Sequence, residues 1–160
     1  MFRFFREPKA RVASTFKELA MENIIIRTTA RVLIPFIQLF ALYVVAHGDL
    51  SAGGGFQGGV IIGAGIILYS IVYGAGEGRK RMREKINDFM NSIGVFIYAG
   101  IGVLCLLFGG MFLEYGALPI KDHHLASHLG IYGIEIGVTI TVAGVMSTIY
   151  FETVRRLDDD

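Results

Sequence analysis

Four stretches of the chain, at 28–46, 56–74, 93–113 and 129–151, are nearly unbroken runs of apolar residues, each closed off by charge or glycine. Each is close to the roughly 20 residues that a helix needs to cross a hydrocarbon core. Lipid offers nothing to pair with a bare backbone N–H or C=O, so runs of this kind have to be helical. Pro35, inside the first run, is compatible with a membrane helix under the same logic. The pattern predicts an all-α membrane protein with four transmembrane helices. A cleavable signal peptide fits the first run poorly, because its basic flank is long and a glycine cluster follows in place of a small-residue cleavage site.

Composition agrees with the pattern. Hydrophobic residues make up 53% of the 160 and charged residues 18%, and the mean hydropathy is +0.55. That is too apolar for an ordinary soluble domain of this length. The net charge of +1 hides an uneven placement. Seven basic residues precede or open the first span (Arg3, Arg6, Lys9, Arg11, Lys17, Arg27, Arg31), and five lie between the second and third (Arg79, Lys80, Arg81, Arg83, Lys85). Two follow the fourth (Arg155, Arg156), and one, Lys121, lies on the other side. The positive-inside rule then places both termini and the middle loop in the cytoplasm of a multi-pass cell-membrane protein. The same rule accounts for the basic loop from Arg79 to Lys85, so nucleic acid is not expected as a partner.

Three segments follow. Residues 1–23 form a cytoplasmic segment, 24–152 a four-helix transmembrane domain, and 153–160 a cytoplasmic tail ending in Asp158, Asp159 and Asp160. The first segment reads as an amphipathic helix from about Pro8, with Val12, Phe16 and Leu19 on one face and Lys9, Arg11 and Lys17 around it. Such a helix either lies in the headgroup layer or docks on a partner subunit.

The most unusual stretch is the glycine cluster from Gly53 to Gly59. Gly53, Gly55 and Gly58 match G-x-G-x-x-G, with Glu77 about 20 residues on, as a dinucleotide fingerprint requires. No strand precedes it and no βαβ unit surrounds it, so nucleotide binding is rejected. Gly55, Gly59 and Gly63 recur at every fourth position and make one smooth stripe on the second span; Gly133 and Gly137 repeat the spacing in the fourth. Small residues spaced this way let helices approach closely, which drives association in lipid. The glycines before Phe56, Gly53 to Gly55, are expected to make a tight re-entry into the membrane with positive φ.

Several of these residues, taken together, resemble a known family. Arg27-Thr28-Thr29-Ala30-Arg31 leads into the first span; Leu42-Tyr43, His47-Gly48 and the block Gly53-Gly54-Gly55-Phe56-Gln57-Gly58-Gly59 follow. Glu135-Ile136-Gly137-Val138 and Val142-Ala143-Gly144 lie in the last span. This set resembles the B subunit of Mrp (Mnh) multisubunit sodium/proton antiporters from about Ile24 to Tyr150. The resemblance implies an accessory membrane subunit with other Mrp-type subunits and the bilayer as partners. The module is either a stand-alone antiporter or the ion-pumping arm of an archaeal ferredoxin-linked complex, which would add hydrogenase-like redox subunits. The alternative is a self-contained small transporter or homo-oligomeric channel.

Ionisable groups inside a span are costly and are functional candidates by default. Glu135 is the clear case, six residues past Leu129 and so about 9 Å in at 1.5 Å per residue. His128, Tyr132, Glu135 and Thr139 share its helical face. The stripe is expected to face a partner helix or a hydrated path, where Glu135 either exchanges protons or a cation, or holds an interface together. Gln38, mid-span in the first helix, needs a hydrogen-bond partner from a neighbouring helix. His47 and Asp49 border the glycine turn, where Asp49 either stabilises the turn or, with His47, meets a cation. His123, His124 and His128 lack a recognised zinc-ligand spacing, and no metal or other cofactor is expected. The single cysteine, Cys105, reads as a small hydrophobe. No nucleophile–base pair appears, so the chain is not expected to be an enzyme on its own.

Overall fold

The structure is a computed structural model and describes residues 8–48, 53–120 and 122–159, with side chains from residue 23 to residue 156. Five α-helices carry the chain: α1 (Pro8–Ala46), α2 (Gly54–Tyr73), α3 (Ala75–Arg81), α4 (Glu84–Leu107) and α5 (His123–Asp159), with a 3-10 turn at Tyr115–Ala117 before α5. No strand occurs among the described residues. Four segments are long and apolar enough to cross a membrane: Asn23–Ala46, Gly54–Tyr73, Glu84–Leu107 and His123–Arg156.

These four do not close into a bundle. α1 packs on α2, α2 on α5, and α5 on α4, so the helices stand in a row in the order α1, α2, α5, α4. Contacts along the row fix the directions. Gly55, Gly59 and Gly63 of α2 face Glu135, Thr139 and Met146 of α5 in ascending order, so that pair is parallel. Gly133, Gly137 and Gly144 of α5 face Ile101, Gly94 and Asn91 of α4 in descending order, so that pair is antiparallel.

Small residues form the interior because lipid gives helices no hydrophobic reason to associate, leaving close packing and hydrogen bonds to do so. The buried apolar side chains are mostly small: Ala30, Ala41, Cys105, Ala126 and Ala143, with Phe151 the exception. Phe36, Leu39, Phe89, Phe96 and Leu107 are more than half exposed on the faces of the row. Polar residues enter the interior by returning their hydroxyls to their own helix: Ser70 to the Ile66 carbonyl at 2.9 Å and Ser147 to that of Ala143 at 2.9 Å. Gln38 finds the expected neighbour, its Nε2 donating to the Ile62 carbonyl at 3.1 Å. Gly65 leaves the space that this amide occupies.

Several helix bounds differ from the apolar runs; α5, for example, covers His123–Asp159 where the run covers 129–151. The first membrane helix has no break at residue 23; α1 starts at Pro8 and runs through to Ala46. The amphipathic face expected from Val12, Phe16 and Leu19 lies outside the described side chains. The third span was expected over 93–113, yet α4 covers Glu84–Leu107. Gly109 ends it with φ 86, and its neighbour Gly110 donates back to the Cys105 carbonyl at 3.0 Å, a glycine C-terminal cap. Apolar residues after this cap stay with the helix by folding back on it. The Phe112 ring fills the space above Gly102 and meets Tyr98 edge-on at 6.4 Å. Tyr115 follows and lies over Gly130 of α5, where burial pushes its phenol pKa up.

Candidate functional site

The glycine-rich entry to α2 and the polar face of α5 meet at one end of the row. Gly53 and Gly54 have φ 148 and φ 60, left-handed values that glycine adopts without strain, and this bend starts α2 immediately after the connection from α1. α5 passes alongside, and glycine is needed at each approach. A Cβ at Gly48 would overlap the Glu135 carboxylate, and one at Gly54 would stand 2.7 Å from Glu135 Oε1. At Gly55 a Cβ would come within 2.8 Å of the Glu135 Cα and closer still to its carbonyl oxygen. The Glu135 carboxylate is therefore enclosed by the ends of α1 and α2 in the same chain.

Its neighbours on α5 fasten the same junction. The Tyr132 hydroxyl donates to the carbonyl of Ala46, the last residue of α1, at 3.2 Å. Thr139 is only 7% exposed. Its Oγ1 lies 2.7 Å from the Glu135 carbonyl and 3.1 Å from the Gly55 carbonyl, so one hydroxyl proton serves an intrahelical and an interhelical acceptor. Tyr132, Glu135 and Thr139 thus meet Gly48, Gly54 and Gly55. Because the first-turn N–H groups of a helix have no intrahelical acceptor, a carboxylate seated at the start of α2 lies at the positive end of that helix dipole.

The remaining sequence candidates are placed elsewhere. His128 stacks on His124, one turn earlier on α5, at 5.1 Å between ring centroids. His47 turns back along α1, with Nδ1 3.0 Å from the Tyr43 carbonyl and its ring 4.2 Å from the Tyr43 ring. Asp49 lies outside the described residues. Gly59 and Gly63 continue the α2–α5 contact away from Glu135, whereas Gly133 and Gly137 lie on the α4 side of α5. Among the described residues no three of His, Cys, Asp or Glu converge where a metal ion would fit.

The apolar pattern missed one polar cluster. Asn87 is 5% exposed, and its Nδ2 donates to Thr148 Oγ1; Asn91 Nδ2 reaches the same oxygen at 3.2 Å. Thr148 passes its own proton to the Gly144 carbonyl at 3.0 Å. This ladder joins α4 to α5 at the end opposite Glu135. Its signal in the sequence is the one-turn spacing of Asn87 and Asn91, hidden by the charges of residues 84–88.

A row of four membrane-length helices, with one carboxylate set among glycines at the junction of three of them, defines a multi-pass membrane protein. Over residues 25–148 the chain matches the family described as a domain related to the MnhB subunit of Na+/H+ antiporter. It belongs to that family. Among curated proteins it is similar to those named antiporter subunit mnhB2 from Staphylococcus haemolyticus (strain JCSC1435) and Staphylococcus aureus (strain MRSA252). Each is 26% identical over 131 residues, covering 79% of this chain and 91% of the relative.

Proposed function

We propose that this chain is a non-catalytic membrane subunit of an Mrp-type sodium/proton antiporter, oriented with both ends and the α3 loop in the cytoplasm. The observation that carries this reading is the open row. A single layer of helices, packed through small residues and presenting Phe36, Leu39, Phe89 and Phe96 outward, leaves two broad apolar faces. An assembly of several membrane proteins can cover those faces with other helices as well as with lipid. A self-contained channel needs instead a polar face turned toward an axis. Among the described residues, buried polar side chains join this chain's own helices, through Thr139 to Gly55 and through Asn87 and Asn91 to Thr148.

Within that assembly Glu135 is the ionisable group that this subunit brings into the membrane, and its place at the α1–α2 junction suits exchange of a proton or a cation near the outer surface. The antiporter names of the relatives favour a stand-alone antiporter over the ion-pumping arm of a redox complex. Native mass spectrometry of the gently solubilised assembly tests the proposal. The expected result is this chain in a stable complex with several larger membrane subunits. Recovery of this chain alone, or only as copies of itself, contradicts it, and hydrogenase-like subunits in the complex would move the module into a redox-driven pump.

A further inference from the structure

At the basic end of the row, two cavities on the α1–α2 side share a wall. One, of about 420 Å³, is lined by Arg31, Ile34, Pro35, Tyr69, Tyr73 and Arg81. The other, of about 270 Å³, shares Ile34, Tyr69 and Arg81 and continues between the helices to Gln38, Gly65 and Ile66. Together they make a groove that is cationic at its mouth and mainly apolar along its length.

The local chain geometry builds the mouth. Gly74, with φ 98, bends the chain between α2 and α3. The seven residues of α3 then bring Arg81 back over the ring of Tyr69, with the guanidinium carbon 5.3 Å from the ring centroid. On the other side the Tyr73 hydroxyl donates to the Arg27 carbonyl at 3.0 Å, and the Arg27 guanidinium lies 5.9 Å from the Tyr73 ring. Aromatic rings flank both Arg27 and Arg81. The one acidic residue of α3, Glu77, is taken by Lys80. Among the described residues neither Arg31 nor Arg81 has a carboxylate within ion-pairing distance.

We propose that this groove binds one anionic phospholipid, with its phosphate between Arg31 and Arg81, a tyrosine hydroxyl beside it, and an acyl chain running past Ile34 toward Gly65. Guanidinium forks match phosphate oxygens, and basic pockets between helices at the cytoplasmic surface suit anionic headgroups. Pro35 lines the mouth side of the groove, and the Gln38 amide, seated over Gly65, closes its inner end between α1 and α2. The site rests on the cytoplasmic orientation proposed above but not on antiport itself, since its residues lie at the end of the row opposite Glu135.

The test is native mass spectrometry of the full-length chain in detergent, titrated with phosphatidylglycerol or with phosphatidylcholine of the same acyl chains. The expected result is one phosphatidylglycerol bound with a preference on the order of tenfold. The paired change Arg31→Gln with Arg81→Gln abolishes the preference, while the charge-matched pair Arg155→Gln with Arg156→Gln keeps it. Equal loss in both pairs would show general attraction to a basic surface and overturn the site. Phosphatidylcholine bound as tightly would also overturn it, as would glycerol phosphate without acyl chains competing as well as the intact lipid.

Discussion

Alanine at Gly55 is expected to force α2 away from α5 and to lower the stability of the folded chain by about 1–3 kcal/mol, the range for overpacking a closely fitted interface. The added Cβ would meet backbone, within 2.8 Å of the Glu135 Cα and carbonyl carbon, so no rotamer change can relieve it. Gly59 and Gly63 extend the same contact against Thr139 and Met146, so the strain spreads along the row. Gly100 supplies the control. It lies inside α4 with nothing within 4 Å of its built Cβ, and Gly100→Ala is expected to stabilise the isolated chain by about 0.5–1 kcal/mol through helix propensity alone. Unfolding of both variants in mixed micelles, titrated with a denaturing detergent, measures the contrast. Equal effects at the two positions would mean that α2 and α5 are not packed as described.

The second large effect is expected at Glu135. Glutamine has nearly the same shape and keeps one carbonyl oxygen beside Gly48 and Gly54, but it carries no charge and cannot exchange a proton at neutral pH. Glu135→Gln is therefore expected to leave assembly intact while reducing ion-coupled transport by roughly a hundredfold, the lower end for loss of a positioned proton-transfer group. Proton-gradient quenching in inverted membrane vesicles gives the rate, and recovery of the complex from the same vesicles gives the assembly. Unchanged transport with full assembly would leave Glu135 only the part of clasping the α1–α2 junction.

Different kinds of physical constraint were legible in the sequence to different extents. The four membrane helices could be read because lipid demands about 20 apolar residues per crossing and no soluble pattern imitates that. The stripe of Gly55, Gly59 and Gly63 could be read as a contact face, since four-residue spacing fixes a face of a helix. Spacing says nothing about which helix lies opposite, and only the fold reveals that this stripe meets α5 while Gly133 and Gly137 meet α4. For the same reason, Glu135 stood out by the cost of its burial, whereas its enclosure by Gly48 and Gly54 depends on residues more than eighty positions away. The end of α4 is not legible in the apolar run, because hydropathy does not separate a helix from an apolar segment folded back on it, as Phe112 is on Gly102. Asn87 is not legible as a buried residue because it sits among charges that read as a loop, although α4 begins at Glu84 and turns it inward onto Thr148.

Both the antiporter reading and the lipid groove depend on the side of the membrane to which the basic end of the row is turned. A topology reporter fused after Asp160, and another placed in the loop beside Arg81, measures this directly in intact cells. Both reporters are expected on the cytoplasmic face, with a tag beside Gly53 reachable from outside. Either of the first two on the outer face would contradict the orientation.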